Sequence, residues 1–235
     1  MELRMTPTFP DVTISTDRLV LRPFEAADVP TLTELMNDEL VTAWTDTPHP
    51  CTAADAHAFV TLRAPAARAT GRGLVLAVTE FLTGRLVGLV TLRGTDWRVR
   101  STEADVVTAP WARGEGYAGE ALLALAHWLF TARGFERVEL RTAAENTAGQ
   151  QIAQKIGAIS EGVLRGAGMA RVPTVEGGWS ELRTDLILWG LLPEDLDDPD
   201  ALDTDEPHVA WDEAPAPKIP AGRRPRGRAV PVERG

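Results

Sequence analysis

The chain has 235 residues, 44% hydrophobic and 25% charged, with a formal net charge of −10 and one cysteine, Cys51. Those proportions suit a globular protein with a sizeable core, and they exclude an intrachain disulfide and a cysteine-rich zinc site. The longest largely apolar run, from Ala121 to Ala132, is far short of the roughly 20 residues of a bilayer span, and the N-terminus lacks the basic and apolar regions of a secretory signal, so a cytoplasmic protein is expected.

Residues 1–14 are read as an N-terminal extension. Arg18 to Pro23 alternates apolar and charged positions and predicts a strand; Glu25 to Met36 has helical spacing at Val29, Leu32, Leu35 and Met36. Thr52, with Asp55 three residues on, resembles a helix start, and the alanine-rich run to about Ala69 predicts a second helix ended by Gly71 and Gly73. Leu74 to Thr79 and Arg85 to Arg93 predict a hairpin about Leu82-Thr83-Gly84, and Arg98 to Thr108 a third consecutive strand stopped by Ala109-Pro110. Gly116 to Arg133 reads as a long helix, Arg137 to Thr142 as a strand, Asn146 to Ile156 as a helix, and Ile159 to Leu164 and Thr184 to Leu192 as strands. The order predicts one mixed α/β domain over residues 15–193, with a mainly antiparallel sheet and flanking helices.

Charge is uneven at the end. Glu194 to Glu213 holds ten acidic residues and no Lys or Arg, while Ala214 to Gly235 holds six basic residues against Glu233 alone. Residues 194–235 carry too little apolar surface to offset their ordering entropy and predict a disordered tail. Its run Arg223-Arg224-Pro225-Arg226-Gly227-Arg228 reads as a solvated stretch, and nothing in residues 1–193 forms a nucleic-acid surface.

The segment Arg113-Gly114-Glu115-Gly116-Tyr117-Ala118 lies between a predicted strand and a long predicted helix. Such a loop exposes consecutive backbone N–H groups at a helix N-terminus, where the dipole favours an anion. Gly114 and Gly116 would let the backbone approach a pyrophosphate without an intervening Cβ. It is neither a Walker loop nor a dinucleotide fingerprint, because the lysine of the first and the glycine spacing of the second are missing. A plain glycine-rich connection is the other reading of the loop by itself.

Arg113 to Ala118 match the fixed positions of Gln/Arg-x-x-Gly-x-Gly/Ala. Glu145-Asn146-Thr147-Ala148-Gly149 and Lys155-Ile156-Gly157-Ala158 are similar to a second signature, Asn-x-x-Ser followed by Lys-Leu-Gly-Phe. In content and order these motifs resemble the GNAT acyl-CoA N-acyltransferases, from about Ser15 to Pro193. Thr16-Asp17-Arg18-Leu19-Val20-Leu21-Arg22-Pro23 and Glu161-Gly162-Val163-Leu164-Arg165 resemble the subgroup that includes the ribosomal-protein N-terminal alanine acetyltransferases.

The resemblance implies a GNAT-like sheet splayed between its fourth and fifth strands, with acyl-CoA in the opening. Its pyrophosphate would rest on Arg113, Gly114, Glu115, Gly116, Tyr117 and Ala118. Its pantetheine arm would pair with the backbone of Val106, Val107 and Thr108. Asn146 would help hold the cofactor or the reacting region, or cap the following helix. The implied reaction is direct transfer of an acetyl group, or a larger acyl group, from acetyl-CoA as co-substrate to a primary amine on a small molecule or protein. No metal, nucleic acid or membrane is implied, and the state is a monomer or homodimer. A noncatalytic acyl-CoA-binding domain is the rival reading.

An alkyl amine is mostly protonated at pH 7, so the transfer needs a group to accept its proton. Glu103 and Asp105 share one face of the strand entering the loop and are the candidate catalytic carboxylates. The subgroup pattern Ala-Glu-Ile-Gly reads Thr102-Glu103-Ala104-Asp105 here, so Asp105 stands where glycine is usual and competes as base or amine anchor. The acid is missing from its familiar places: Ala153 replaces a tyrosine, Gly149 a serine, and Tyr117 is the sole tyrosine. Trp44, Trp97, Trp179 and Trp189 read as core or interface more readily than as an acceptor pocket, and His57 as a surface residue.

Overall fold

In the computed structural model, which describes residues 7–196 and the backbone of 210–213, nine strands pair into one sheet in the order β7-β8-β6-β5-β4-β3-β2-β1-β9. In chain order the strands are β1 (Val12–Ser15), β2 (Leu19–Arg22), β3 (Leu74–Glu80), β4 (Leu86–Asp96), β5 (Ser101–Thr108), β6 (Arg137–Ala143), β7 (Ile159–Pro173), β8 (Trp179–Leu191) and β9 (Ala210–Glu213). The helices are α1 (Val29–Met36), α2 (Glu39–Trp44), α3 (Ala53–Ala58), α4 (Ala64–Ala69), α5 (Tyr117–Thr131), α6 (Thr147–Lys155) and α7 (Pro193–Leu196). None of them is long and apolar enough to cross a membrane.

Leu74 to Thr79 of β3 and Leu86 to Val90 of β4 are buried without alternation, as expected of central strands covered on both faces. Helix α5 packs across β1, β2, β4 and β5 and buries Leu122, Leu125, Trp128 and Leu129. Helices α1, α2 and α4 pack on β4, β7 and β3 respectively. Every neighbouring pair in the sheet is antiparallel except β5 and β6. That parallel pair is registered only from Ser101–Arg137 to Glu103–Glu139, after which the strands part. These are the fourth and fifth strands predicted from sequence; the short β1 moves them to fifth and sixth.

Several expectations change. Residues 7–14 are not an extension, because β1 pairs with β2 and Phe9 is buried against Trp97, Phe135 and Trp128 with ring centroids 4.8, 6.1 and 6.3 Å away. The helix expected from Glu25 begins as a 3₁₀ turn, Ala26–Asp28, where Asp28 takes a forked pair of bonds from Arg22 at 2.8 and 2.9 Å. Helix α2 is additional, capped by Asp38, which accepts from the Leu40 and Val41 N–H groups. The expected helix to Ala69 is α3 and α4 joined through a π-helical turn, Phe59–Arg63. The β7–β8 hairpin reaches nine residues beyond the predicted end at Leu164, through a glycine-rich stretch that lacks strand patterning. Within the expected disordered tail, α7 forms and β9 adds antiparallel to β1; the rest of the tail, including Arg223 to Arg228, lies outside the described residues.

Across β8, Arg137 on β6 reaches Glu161 on β7, Nη1 to Oε1 2.6 Å, and its Nε bonds Glu139 at 3.0 Å. A Cβ at Gly190 would collide with Glu161 Oε1 and Arg137 Nη1, the ends of two flexible side chains, so an alanine there would push the ion pair aside rather than strain the backbone. Gly190→Ala is therefore expected to cost at most about 1 kcal/mol, the worth of a partly exposed ion pair, and to lower the melting temperature by no more than roughly 2–4 °C. Thermal melts check this, and in a Glu161→Ala background the same substitution should cost less, since one of the colliding groups is gone.

Candidate active site

The loop from β5 to α5 closes one end of the parting. Pro110 opens a 3₁₀ turn, and Gly114 (φ +83°) and Gly116 (φ +80°, ψ 0°) then take left-handed conformations that a side chain disfavours. A Cβ on Gly114 would meet nothing within 4 Å, and one on Gly116 only Arg18 Nη2 at 3.6 Å. The glycines thus serve the turn and leave its outer side open. No side chain caps α5, so its first N–H groups are offered as a ready anion site.

Distant residues hold the loop. Arg18, just before β2, donates from Nη1 to Glu115 O at 3.1 Å and from Nε to Glu120 Oε2 at 2.7 Å, and lies 5.0 Å from the centroid of the Tyr117 ring. Thr16 also donates to Glu120. The Tyr117 hydroxyl donates to Glu80 at 3.0 Å, which raises its pKa and makes it a poorer acid. Arg113 pairs with Asp38, the cap of α2, and so braces the loop from within. Burial pushes the Asp38 carboxyl up, but the bonds from Arg113 and the Val41 and Leu40 N–H groups outweigh it and hold the carboxyl below its ordinary range. Ala118 is buried, keeping the helix start narrow.

Strand alternation decides which peptide groups face the parting. Glu136 N–H donates to Arg100 O on the β6 side, and Ala109 N–H donates to Val87 O on the β4 side. Even-numbered peptide groups of β5 therefore face β6, and odd-numbered ones face β4. Val106 and Thr108 turn their peptide groups towards the gap. Val107 does not: its carbonyl oxygen lies where a Cβ on Gly88 of β4 would stand, so its backbone is committed to the β4 ladder.

Glu103 and Asp105 do share one face, and both oxygens of Glu103 are engaged. Arg93, directly opposite on β4, donates to Oε1 at 2.9 Å, and Arg141 of β6 stands 3.4 Å from Oε2. Arg93 also reaches Asp105 Oδ2 at 3.3 Å. Burial pushes the Asp105 carboxyl up; the charges of Glu103 and Asp46 add to that push, while Arg93 and the Val106 N–H oppose it. About 40% of the Asp105 side chain still meets solvent, so the closely packed carboxyl remains reachable.

The loop after α2, which carries Asp46, and the β7–β8 hairpin border an open cavity of about 560 Å³ lined by His49, Pro50, Arg171, Trp179 and Glu181. His49 is held by Thr42 at 3.1 Å and meets the Trp179 ring edge-on at 5.6 Å, while Arg171 donates to Thr47 O at 2.6 Å. Trp179 thus borders a cavity. Trp189 is buried and donates to Thr142, Trp97 donates to Gly71 O, Trp44 is half-buried and His57 is exposed.

Asn146 caps α6, its Oδ1 accepting from Gly149 N–H at 3.0 Å. A Cβ on Gly149 would press on Asn146 and Thr142, and Ala153 is wholly buried. Sequence reasoning missed Arg93, Arg141, Asp46 and the bracing by Arg18 and Asp38. Arg93 was within reach of the cross-strand charge rule once the β4–β5 register is known; the others depend on contacts between distant segments.

The profile of the acetyltransferase (GNAT) domain family matches residues 18–159. Among solved structures, RimJ of Mycobacterium smegmatis in complex with CoA-disulfide is 22% identical with a TM-score of 0.68, covering 84% of this chain and 94% of its own. The ribosomal-protein-S5-alanine acetyltransferase of Vibrio fischeri is 16% identical with a TM-score of 0.64, covering 79% and 99%. The spermidine N-acetyltransferase of Vibrio cholerae, in complex with CoA and spermine, is 19% identical with a TM-score of 0.62, covering 77% and 98%. A sequence search of curated proteins found no significant match.

The Arg113–Asp38 pair gives a pH-dependent prediction. A carboxyl held below its ordinary range contributes stability above the unfolded pKa, near 4, and loses it as pH falls through the folded value. Arg113→Ala should therefore lower stability by about 1 kcal/mol at pH 6–7, a deficit that closes as the pH is taken below about 3. Melts across that range check both the size and the sign.

Proposed function

Because the chain belongs to the GNAT acetyltransferase family, whose profile spans more than half of it, we propose that it transfers an acetyl group directly from acetyl-CoA to a primary amine. The observation that carries this reading is the parting of β5 and β6, which ends at an uncapped helix start behind two left-handed glycines. That arrangement fits acyl-CoA: N–H groups of the Gly114 to Ala118 segment for the pyrophosphate, and the peptide groups of Val106 and Thr108 for the amides of the arm. Acetyl-CoA supplies an activated thioester with a thiolate leaving group. Arg113 and Arg18 hold the loop in shape, and Asn146 keeps α6 in register beside it.

The protein's own chemical task is to hold the amine and take its proton. An ammonium approaching this face meets Asp46, Glu103 and Asp105, with Arg93 and Arg141 setting where those charges sit. Glu103, with an arginine on each oxygen, orients the site and attracts the cation. Asp105, whose carboxyl burial pushes above its ordinary range, accepts the proton, directly or through water. The body of the acceptor lies in the cavity between His49, Trp179 and Glu181. No protein acid is assigned to the departing thiolate, whose ordinary pKa near 8.5 makes it a fair leaving group. The names of two structural neighbours, one for an alanine of ribosomal protein S5 and one for spermidine, support an acceptor among protein amines and small polyamines.

Calorimetry with acetyl-CoA, followed by a thiol-release assay over a panel of amines, tests the reading. Gly116→Val should weaken acetyl-CoA binding at least about tenfold and cost about 1–2 kcal/mol of stability, since valine is disfavoured in the left-handed region; unchanged affinity would remove the central claim. Asp105→Asn should lower kcat by about 10²–10⁴-fold with acetyl-CoA binding retained, whereas Glu103→Gln should chiefly raise the amine KM. A base must be deprotonated to act, so kcat/KM should rise with pH through a value above the ordinary carboxylate pKa near 4, a limb that Asp105→Asn abolishes. Acetyl-CoA binding without turnover on any amine would favour a noncatalytic binding domain.

A further inference from the structure

One peptide group facing the parting already has a partner. Val106 N–H is bonded at 2.9 Å to Oδ1 of Asp105, the residue before it. A side chain that folds back onto a neighbouring N–H competes with whatever the strand would otherwise pair. It can do so here because β6 has left the ladder after Glu139. The other oxygen of Asp105 faces Arg93 of β4, and the remaining charges facing it are Glu103 of β5 and Asp46 of the loop after α2.

We propose that Asp105 occupies the acyl-CoA slot of its own protein: while the slot is empty its carboxylate holds the Val106 N–H that the ligand's amide carbonyl must take, and acyl-CoA binding frees that carboxylate for the amine. The inference rests on the reading above, that acyl-CoA enters between β5 and β6 and that Asp105 takes the proton. One hydrogen bond is exchanged for another at the same N–H, so the exchange is close to balanced and reversible. The released carboxylate then has an unfilled acceptor position on the face where the ammonium arrives. Protonation of Asp105 weakens it as an acceptor, so the competition fades towards acid pH.

Acetyl-CoA titrated calorimetrically into the wild-type protein and into Asp105→Ala tests the competition. The variant is expected to bind about tenfold more tightly at pH 7.5, the scale of a charge-assisted hydrogen bond removed from the competing side. The gap should narrow as pH falls and the wild-type carboxylate is neutralised. A second measurement needs no variant: in the ligand-free protein the ¹⁵N–H resonance of Val106 should follow the Asp105 titration, and in the acetyl-CoA complex it should not. Equal or weaker binding by Asp105→Ala, with normal wild-type binding, overturns the inference and leaves the proposed function standing. A Val106 resonance indifferent to pH in the free protein overturns it too, even if the variant does not fold. Failure of the wild-type protein to bind acetyl-CoA removes the functional reading and this inference together.

Discussion

A β-sheet rarely leaves peptide groups unpaired in its middle, because a desolvated N–H or C=O without a partner costs as much as a lost hydrogen bond. Here two central strands part after three registered residues, Ser101 to Glu103 against Arg137 to Glu139. Each keeps a neighbour on its far side, β4 for β5 and β8 for β6, so the sheet survives the break. What remains is a wedge with the inward peptide groups of β5 on one side and the start of α5 at its end. The proposed placement of acyl-CoA, the parity that selects Val106 and Thr108 over Val107, and the folding back of Asp105 onto Val106 all follow from that departure.

The loop at the end of the wedge depends on contacts with residues far from it in sequence. Its two left-handed glycines give the turn but no rigidity. Rigidity comes from Arg18, which ties Glu115, Glu120 and Tyr117 together, and from Arg113, which anchors on the cap of α2. The first charged position of the Arg113 to Ala118 segment is therefore spent on internal architecture. The N–H groups are left to meet an anion, which suits a loop whose ligand must be able to leave.

The carboxylates of the site belong to a chain of charges across the sheet, Asp105–Arg93–Glu103–Arg141–Glu139–Arg137–Glu161, which crosses β8 over Gly190, where no side chain stands in the way. Single exposed ion pairs contribute little, but an alternating row fixes the orientation of each member against two neighbours. Glu103 sits inside the row and Asp105 at its end. That difference in position, more than the one-methylene difference in length, separates a carboxylate held by two arginines from one held by Arg93 alone.

By itself the sequence determined the local elements and the loop. The 3.6-residue apolar spacing of α5, the β-branched-rich apolar runs of β3 and β4, and the glycines at 114 and 116 are each encoded within about ten residues, where propensity and backbone sterics act. Glu103 and Asp105 could be placed on one strand face for the same reason. Only the tertiary structure decided that residues 7–14 enter the core, that β7 and β8 run on through glycines, that Arg93 and Arg141 take both oxygens of Glu103, and that Val107 turns to β4 while Val106 turns to the gap. Those outcomes depend on register and on pairings between segments dozens of residues apart. Alternation along a strand says which residues point together; only its neighbours say which way.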